Sequence, residues 1–441
     1  MKLAAFAILL AVPAFAQERR DPRVTAMVQR VDAARMQATV TKLVSFGTRH
    51  TLSDVNDPKR GIGAARKWLA SEFAAIAQGT KMKPFEDRFM AEPNARIPAP
   101  VELINVGVML PGSDPARAKD AIVMTGHYDS MPTDIKDPKS DAPGANDDGS
   151  GTSMALELAR AFAKESPAIT VYIVAVAGEE QGLVGSKHLA ERLHQEGVNV
   201  IAMTSVDIAG NSEGMDGTRD STTGRIFSEG TPDLENEAQK KLRLAIGNEN
   251  DSPAREWARY LQRVGELYSS GLRLRVMLRR DRIARGSDHM SFAHEGFAAI
   301  RFSEARENYH RQHQTPRNEN GIQYGDDLAH FDPLYAAKLC RALTGAMAAL
   351  SFAPSPPGEV TLLGAVSPDA RLKWKLPDNA ADVLLYRRPA DAVTWTNVES
   401  LGKVSEVVLP SVTTDDWFFA IATVDSAGNQ SLATPPAVIA R

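Results

Sequence analysis

Residues 121–151 decide the architecture. Ala121-Ile-Val-Met-Thr125 is a short apolar run, followed by Gly126-His127-Tyr-Asp129-Ser130. A polar loop then ends in Pro143-Gly-Ala-Asn-Asp147-Asp148-Gly-Ser-Gly151, and helix-forming residues continue to about Lys164. A brief apolar run bounded by turn residues reads as a buried strand, and the segment from Gly151 as a helix. The same alternation recurs downstream. Ile169–Val176, Asn199–Val206 and Ala298–Phe302 read as further buried strands, and Gly185–Gln195 as a helix. Strands alternating with helices specify an α/β domain with a largely parallel sheet. Ligands of such sheets gather at the carboxyl ends of the strands, so the polar clusters directly after each strand are the place to look for chemistry.

Working outward, residues 17–100 begin with helical patterning: Val31, Ala34, Met36, Val40, Leu43 and Val44 recur mostly at three- and four-residue steps, and Gly61–Ala77 reads as a second amphipathic helix. Residues 211–285 interrupt the strand–helix alternation. They are polar, with a helix expected from the cap Ser252 and first-turn Pro253 to about Tyr268. We read this segment as an insertion between two core strands that either walls the site or makes a solvated excursion. Pro354-Ser-Pro-Pro-Gly358 marks a boundary. Beyond it come short alternating strands: Val360–Leu363, Ala370–Lys375, Asp382–Arg387 and Trp417–Thr423, spaced by turn residues as in small β-sandwiches.

Composition narrows the class. The 441 residues are 43% hydrophobic and 24% charged, which excludes a disordered chain or a coiled coil. A net charge of −4, without a basic block interleaved with aromatics, argues against nucleic acid as a partner. The single cysteine, Cys340, leaves the fold to be held by its core. Residues 1–16 carry an early Lys, an apolar run and Ala-Phe-Ala before Gln17. That pattern reads as a cleaved signal peptide, hence an exported protein, periplasmic or secreted. No later apolar run reaches spanning length, so no membrane span is expected after cleavage.

The post-strand clusters are His127-Tyr-Asp129, Asn146-Asp147-Asp148-Gly, Gly178-Glu179-Glu180-Gln and Val206-Asp207-Ile. Asn308-Tyr-His310-Arg-Gln-His313-Gln-Thr-Pro316 follows the last strand. Singly each has a bland reading: a surface His, a solvated Glu pair, a turn or helix cap. Jointly they place at least five acids and two imidazoles at one sheet edge. So many carboxylates repel and raise one another's pKa unless a cation neutralises them. Mixed imidazole and carboxylate donors suit zinc, with cobalt or manganese as substitutes.

This order of motifs, over about residues 100–345, resembles the co-catalytic zinc aminopeptidases. Their relatives include leucyl aminopeptidases, glutamate carboxypeptidase, glutaminyl cyclase and the transferrin receptor ectodomain. Ser45–His50 and Gly61–Trp68 resemble that family's leading helices. The resemblance implies a three-layer αβα zinc-exopeptidase (phosphorylase/hydrolase-like) domain with a mixed, mostly parallel sheet over 17–353. It implies two zinc ions per chain. His127 and Asp207 would hold one, Glu180 and His313 the other, and Asp147 would bridge both. Glu179 would be the general base acting on a water, and Asp129 the acid that orients His127. His310 stands as the alternative last ligand. The resemblance also implies a cis peptide at Asp147–Asp148, and places Ser287-Asp288-His289 near the site, with His289 in a structural role. Residues 354–441, with Trp374, Tyr386 and Ala420–Asn429, resemble a fibronectin type III domain.

The activity these residues imply is removal of N-terminal residues from peptide substrates. A carboxypeptidase, a one-zinc glutaminyl cyclase-like acyltransferase and a non-catalytic binding ectodomain are the alternatives. Arginines near 273–285 bear on the choice between an amine-binding and a carboxylate-binding pocket.

Overall fold

The computed structural model describes residues 19–440, so residues 1–16, read above as a signal, lie outside the described residues. The chain divides into two units, residues 22–352 and the C-terminal residues from 353 together with the segment up to Asp21.

The larger unit begins with helices α1 (Pro22–Gln29), α2 (Ala33–Val44) and α3 (Ile62–Ala77) and strands β1 (Lys83–Ala91), β2 (Val101–Leu110) and β3 (Asp120–His127). The strand–helix series follows: α4 (Gly149–Phe162), β4 (Thr170–Val176), α5 (Val184–Gln195) and β5 (Asn199–Val206). Then come β6 (Thr223–Ser228), α6 (Glu237–Ile246), α7 (Pro253–Tyr268), β7 (Arg273–Met277), α8 (His289–His294) and β8 (Ala299–Glu304). Two short strands, β9 (Arg317–Glu319) and β10 (Ile322–Tyr324), pair as a hairpin, and α9 (Pro333–Phe352) closes the unit.

The central sheet is eight-stranded, in the order β1-β2-β4-β3-β5-β8-β6-β7. The middle strands β4, β3, β5 and β8 are parallel, while β1, β2 and β6 each join by an antiparallel pairing. Helices cover both faces, which makes three layers. On one face, Val123, Val174, Val176 and Met203 pack against Leu189 and Leu193 of α5 and Phe292 of α8. Leu189 and Leu193 stand one helical turn apart, so both meet the sheet. Residues 211–285 are not a solvated excursion, and their last residues, Arg282, Ala284 and Arg285, line a cavity beside the strand ends. The segment's strands β6 and β7 extend the sheet past β8, and α7 buries Trp257, Tyr260 and Leu261. Ser252 caps α7 by accepting the Arg255 N–H at 3.0 Å, as its position before Pro253 predicts.

Two glycines matter for the site. Gly126, at the end of β3, and Gly151, in the first turn of α4, lie back to back. A side chain on Gly126 would collide with the Gly151 backbone, and one on Gly151 with the Val206 carbonyl oxygen and the Asp148 carboxylate. Their absence of side chains lets the N-terminus of α4 press against the strand ends that carry His127 and Asp207.

The smaller unit holds β11 (Gly358–Leu363), β12 (Ala370–Lys375), β13 (Asp382–Pro389), β14 (Asn397–Gly402), β15 (Glu406–Leu409), β16 (Trp417–Val424) and β17 (Val438–Ala440). They form a four-stranded sheet, β15-β12-β11-β17, and a three-stranded sheet, β14-β13-β16. Leu372 and Trp374 of β12 meet Val383 and Leu385 of β13 and Phe419 and Ile421 of β16 in one core, while Lys373 and Lys375 face water. This is the period-two pattern of a strand with one buried face. No helix among the described residues is long and apolar enough to cross a membrane.

Candidate metal centre

Each sequence-predicted residue sits where a strand of the parallel core ends. His127 is the last residue of β3, Asp147 lies in the turn before α4, and Glu179 and Glu180 follow β4. Asp207 follows β5, and His313 lies in the loop after β8. The side chains converge. His127 Nε2 lies 3.2 Å from Asp147 Oδ1, and His313 Nε2 lies 3.1 Å from both Asp147 Oδ2 and Glu180 Oε1. The two oxygens of Asp147 therefore face two different imidazoles. Donor atoms of His127, Asp147 and Glu180 fall within 4.8 Å of one another, as do those of His127, Glu179 and Asp207.

The donor set fits a divalent cation. His127 Nε2 and Glu180 Oε1 are buried and make no hydrogen bond, although each has an opposite-type donor atom nearby. Lone pairs turned toward a common point, rather than toward hydrogens, are what metal ligands require. Electrostatics agrees. Burial pushes Asp207 up to about 6, with Asp147 adding to the rise. Burial, Glu180 and Asp207 hold Glu179 well above the usual range. The surrounding carboxylates hold His127 and His313 well above theirs, against the effect of burial, while those imidazoles hold Asp147 well below its own. Left to itself, the cluster neutralises its charge by keeping protons. A bound cation would take their place.

The supporting residues follow from local folding. Asp148 caps α4 by accepting the Gly151 N–H at 2.8 Å, and its other oxygen accepts the His127 N–H at 3.0 Å, tying helix to strand. The Asp147–Asp148 peptide is cis. Asp129 holds the Glu loop: its carboxylate accepts the N–H groups of Glu179 at 3.3 Å and Glu180 at 3.1 Å and the Thr51 hydroxyl at 3.2 Å. The His127 ring turns its Nδ1 toward Asp129. Its Nδ1 approaches the main-chain oxygen of Asp129 at 3.2 Å, with the Asp129 carboxylate at 3.6 Å. Non-glycine residues with positive φ cluster here: Leu183 at 60°, Ile208 at 51°, Ala284 at 56° and His313 at 51°. Such backbone is disfavoured, most of all for β-branched Ile208 beside Asp207, and concentrates where side chains must be aimed.

His310, the alternative ligand, lies away from the cluster, its ring edge-on to Tyr324 with centroids 4.9 Å apart. His289 points its Nε2 at the Arg280 carbonyl at 3.0 Å, a structural contact.

Three residues that sequence reading did not single out for the site complete it. Asp326 is buried and accepts the N–H groups of Asn146 at 2.9 Å and Asp147 at 2.6 Å. Arg301, fully buried in β8, pairs with Asp207 Oδ1 at 2.9 Å. Arg49 donates to the carbonyls of Tyr128 at 2.7 Å and Gly144 at 2.8 Å, joining the loops after β3 and before α4. For Arg301 a signal existed: a lone cation inside Ala298-Ala-Ile-Arg-Phe302 requires a buried anionic partner. Asp326 and Arg49 had no comparable signal.

Beside the cluster opens a cavity of about 720 Å³, its apolar wall formed by Met131, Leu183 and Met290.

The chain is similar to known proteins over almost its full length. The "Probable zinc metalloprotease" of Pyrenophora tritici-repentis is 43% identical over 426 residues, covering 94% of this chain and 87% of the relative. The protein of the same name from Pyricularia oryzae is 41% identical over 429 residues, covering 94% and 84%. Among solved structures, the Legionella pneumophila LapA aminopeptidase has a TM-score of 0.50 at 21% identity, covering 79% of this chain and 77% of its own. The glutaminyl cyclase of Fimbriiglobus ruber has a TM-score of 0.51 at 17% identity, covering 76% and 97%. These structures share the fold, the zinc-exopeptidase arrangement expected from the motifs. Residues 105–326, which contain every residue of the cluster, match peptidase family M28. The chain belongs to peptidase family M28.

Proposed function

We propose that this peptidase is an exported aminopeptidase that holds two zinc ions and removes N-terminal residues from peptides, with Glu179 as general base. The observation that carries this reading is Asp147, whose two oxygens face His127 on one side and His313 on the other. Two sites sharing one carboxylate require that geometry. His127 and Asp207 would hold one ion and Glu180 and His313 the other. Relatives named as zinc metalloproteases support the choice of metal. The presence of both His127 and Asp207 supports two ions over the single zinc of a cyclase-like site.

Bound zinc would supply Lewis acidity toward a scissile carbonyl and toward a water. The remaining work belongs to the polypeptide. Glu179 lies beside His127 and Asp207, where its carboxylate accepts the proton of the attacking water and returns it to the leaving amine. Asp129 fixes the loop that aims Glu179 and Glu180. Arg301 orients Asp207 through its 2.9 Å contact with Oδ1. Residues 1–16 would direct export, and residues 354–441 would form a fibronectin type III-like module outside the chemistry.

The test compares zinc-loaded wild type with Glu179→Gln on aminoacyl-p-nitroanilides, with metal analysis of both. Loss of at least about 10²-fold in kcat at unchanged zinc content is expected. Undiminished turnover would refute the assignment of Glu179. One zinc per chain would refute the two-ion centre.

A further inference from the structure

The cavity beside the cluster is lined by both signs of charge: Glu179, Asp207 and His313 of the cluster, and the arginines Arg96, Arg282 and Arg285. The three arginines are not equivalent. Arg282 is already used: it donates to Asp281 at 3.0 Å and Glu307 at 3.1 Å, and its side chain is only 11% exposed. Arg96 is exposed, with Nη1 tied to the Glu180 carbonyl. Arg285 is held but unsaturated. Its Nη1 donates to Glu307 at 2.7 Å and its Nη2 to Gln312 at 3.0 Å, which locks the plane of the guanidinium. The remaining guanidinium N–H groups have no acceptor among the described residues, and the side chain is 29% exposed.

The acids around Arg285 are shared among several arginines. Glu307 is a single carboxylate shared by Arg225, Arg282 and Arg285. Asp281 pairs with Arg282 and lies 3.6 Å from Arg301, and Asp207, on the cavity wall, pairs with Arg301 and acts on Arg282. A fixed guanidinium with unused N–H groups on a cavity wall suits a carboxylate, because its planar fork matches the two oxygens.

We propose that Arg285 is a specificity-determining residue that receives a substrate carboxylate while the scissile bond lies at the metal cluster. The carboxylate has two possible sources: the side chain of an acidic residue at the cleavage point, or the free C-terminus of a di- or tripeptide. This rests on the aminopeptidase reading above and adds a substrate class to it. The loop carrying Arg285 belongs to residues 211–285, so the segment that extends the sheet also sets the selectivity.

The test uses the zinc-loaded full chain as wild type, Arg285→Gln and Arg285→Lys, the last retaining charge without the fork. One arm compares Glu- with Gln-p-nitroanilide. The other compares Leu-Gly with Leu-Gly-amide. Wild type is expected to favour the carboxylate member of one pair by about tenfold in kcat/KM, expressed mainly in KM, as one charge-assisted contact allows. The arm that responds identifies the source. Arg285→Gln is expected to bring that ratio to about one while the neutral substrate changes less than about threefold, with Arg285→Lys between. No preference in either arm, or a preference that survives Arg285→Gln, overturns the proposal. Calorimetric binding of glutamate against glutamine, and of glycylglycine against glycylglycinamide, to Glu179→Gln protein with and without Arg285→Gln gives a readout without turnover. If no substrate is cleaved, the aminopeptidase reading fails, and the binding difference alone still decides the role of Arg285.

Discussion

Asp326→Ala removes the acceptor of two buried backbone N–H groups, those of Asn146 and Asp147, whose distances to the carboxylate are 2.9 and 2.6 Å. Asp326 is only 4% exposed, so the two N–H groups lose their acceptor away from bulk solvent. A buried donor left without an acceptor costs about 1–3 kcal/mol, so the pair costs about 2–6 kcal/mol. In a unit of this size each kcal/mol lowers the melting temperature by about 2 °C, giving a fall of about 4–12 °C. The functional effect is separate. The freed backbone is that of the proposed bridging residue, and loosening a ligand's support weakens metal binding by about 10–100-fold. Burial pushes the Asp326 carboxyl up to about 8, so Asp326→Asn changes little charge; it keeps one acceptor oxygen, and its effects should be roughly half as large. Scanning calorimetry of the zinc-free protein reads the first effect, and zinc competition against a chelator reads the second. An Asp326→Ala protein that melts and binds zinc like wild type would refute the reasoning.

Arg301→Met breaks a buried pair and leaves Asp207 without its cation at 2.9 Å, which should destabilise the protein by about 3–5 kcal/mol in denaturant unfolding; wild-type stability would show that Asp207 is neutralised by another group. Glu304 is fully buried, and burial holds its carboxyl well above 4.5, against the opposing hydrogen bonds from Asn211 and Asn146. A raised folded-state pKa means the folded protein keeps a proton that the unfolded chain releases. The associated stability is full below 4.5 and is lost as pH rises toward the folded value. Glu304→Gln removes that loss, so its melting temperature should gain on wild type progressively from about pH 5 to pH 8, and parallel curves would refute the assignment.

Local chemistry made much of this protein readable from the chain. Apolar runs such as Ile169–Val176 become strands because strands inside a parallel sheet are buried on both faces. Ser252-Pro253 starts a helix because the cap and the fixed φ of proline act within one turn. The acids and imidazoles that follow those strands mark one edge of one sheet, and that edge is where the structure brings His127, Asp147, Glu179, Glu180, Asp207 and His313 together. What the chain alone left open depends on partners distant in sequence. His310 and His313 stand three residues apart in an aperiodic loop, and only packing against Tyr324 and a positive φ separate the ring beside the cluster from the ring that lies away from it. Residues 211–285 have no pattern that announces further strands of the sheet, because β6 and β7 are defined by the hydrogen bonds β6 shares with β8 and with β7. Asp326 meets Asp147 across 179 residues, and Arg301 meets Asp207 across 94. A helix cap or a strand period is a short-range consequence of the backbone, whereas a buried charge acquires its meaning from the opposite charge that folding places beside it.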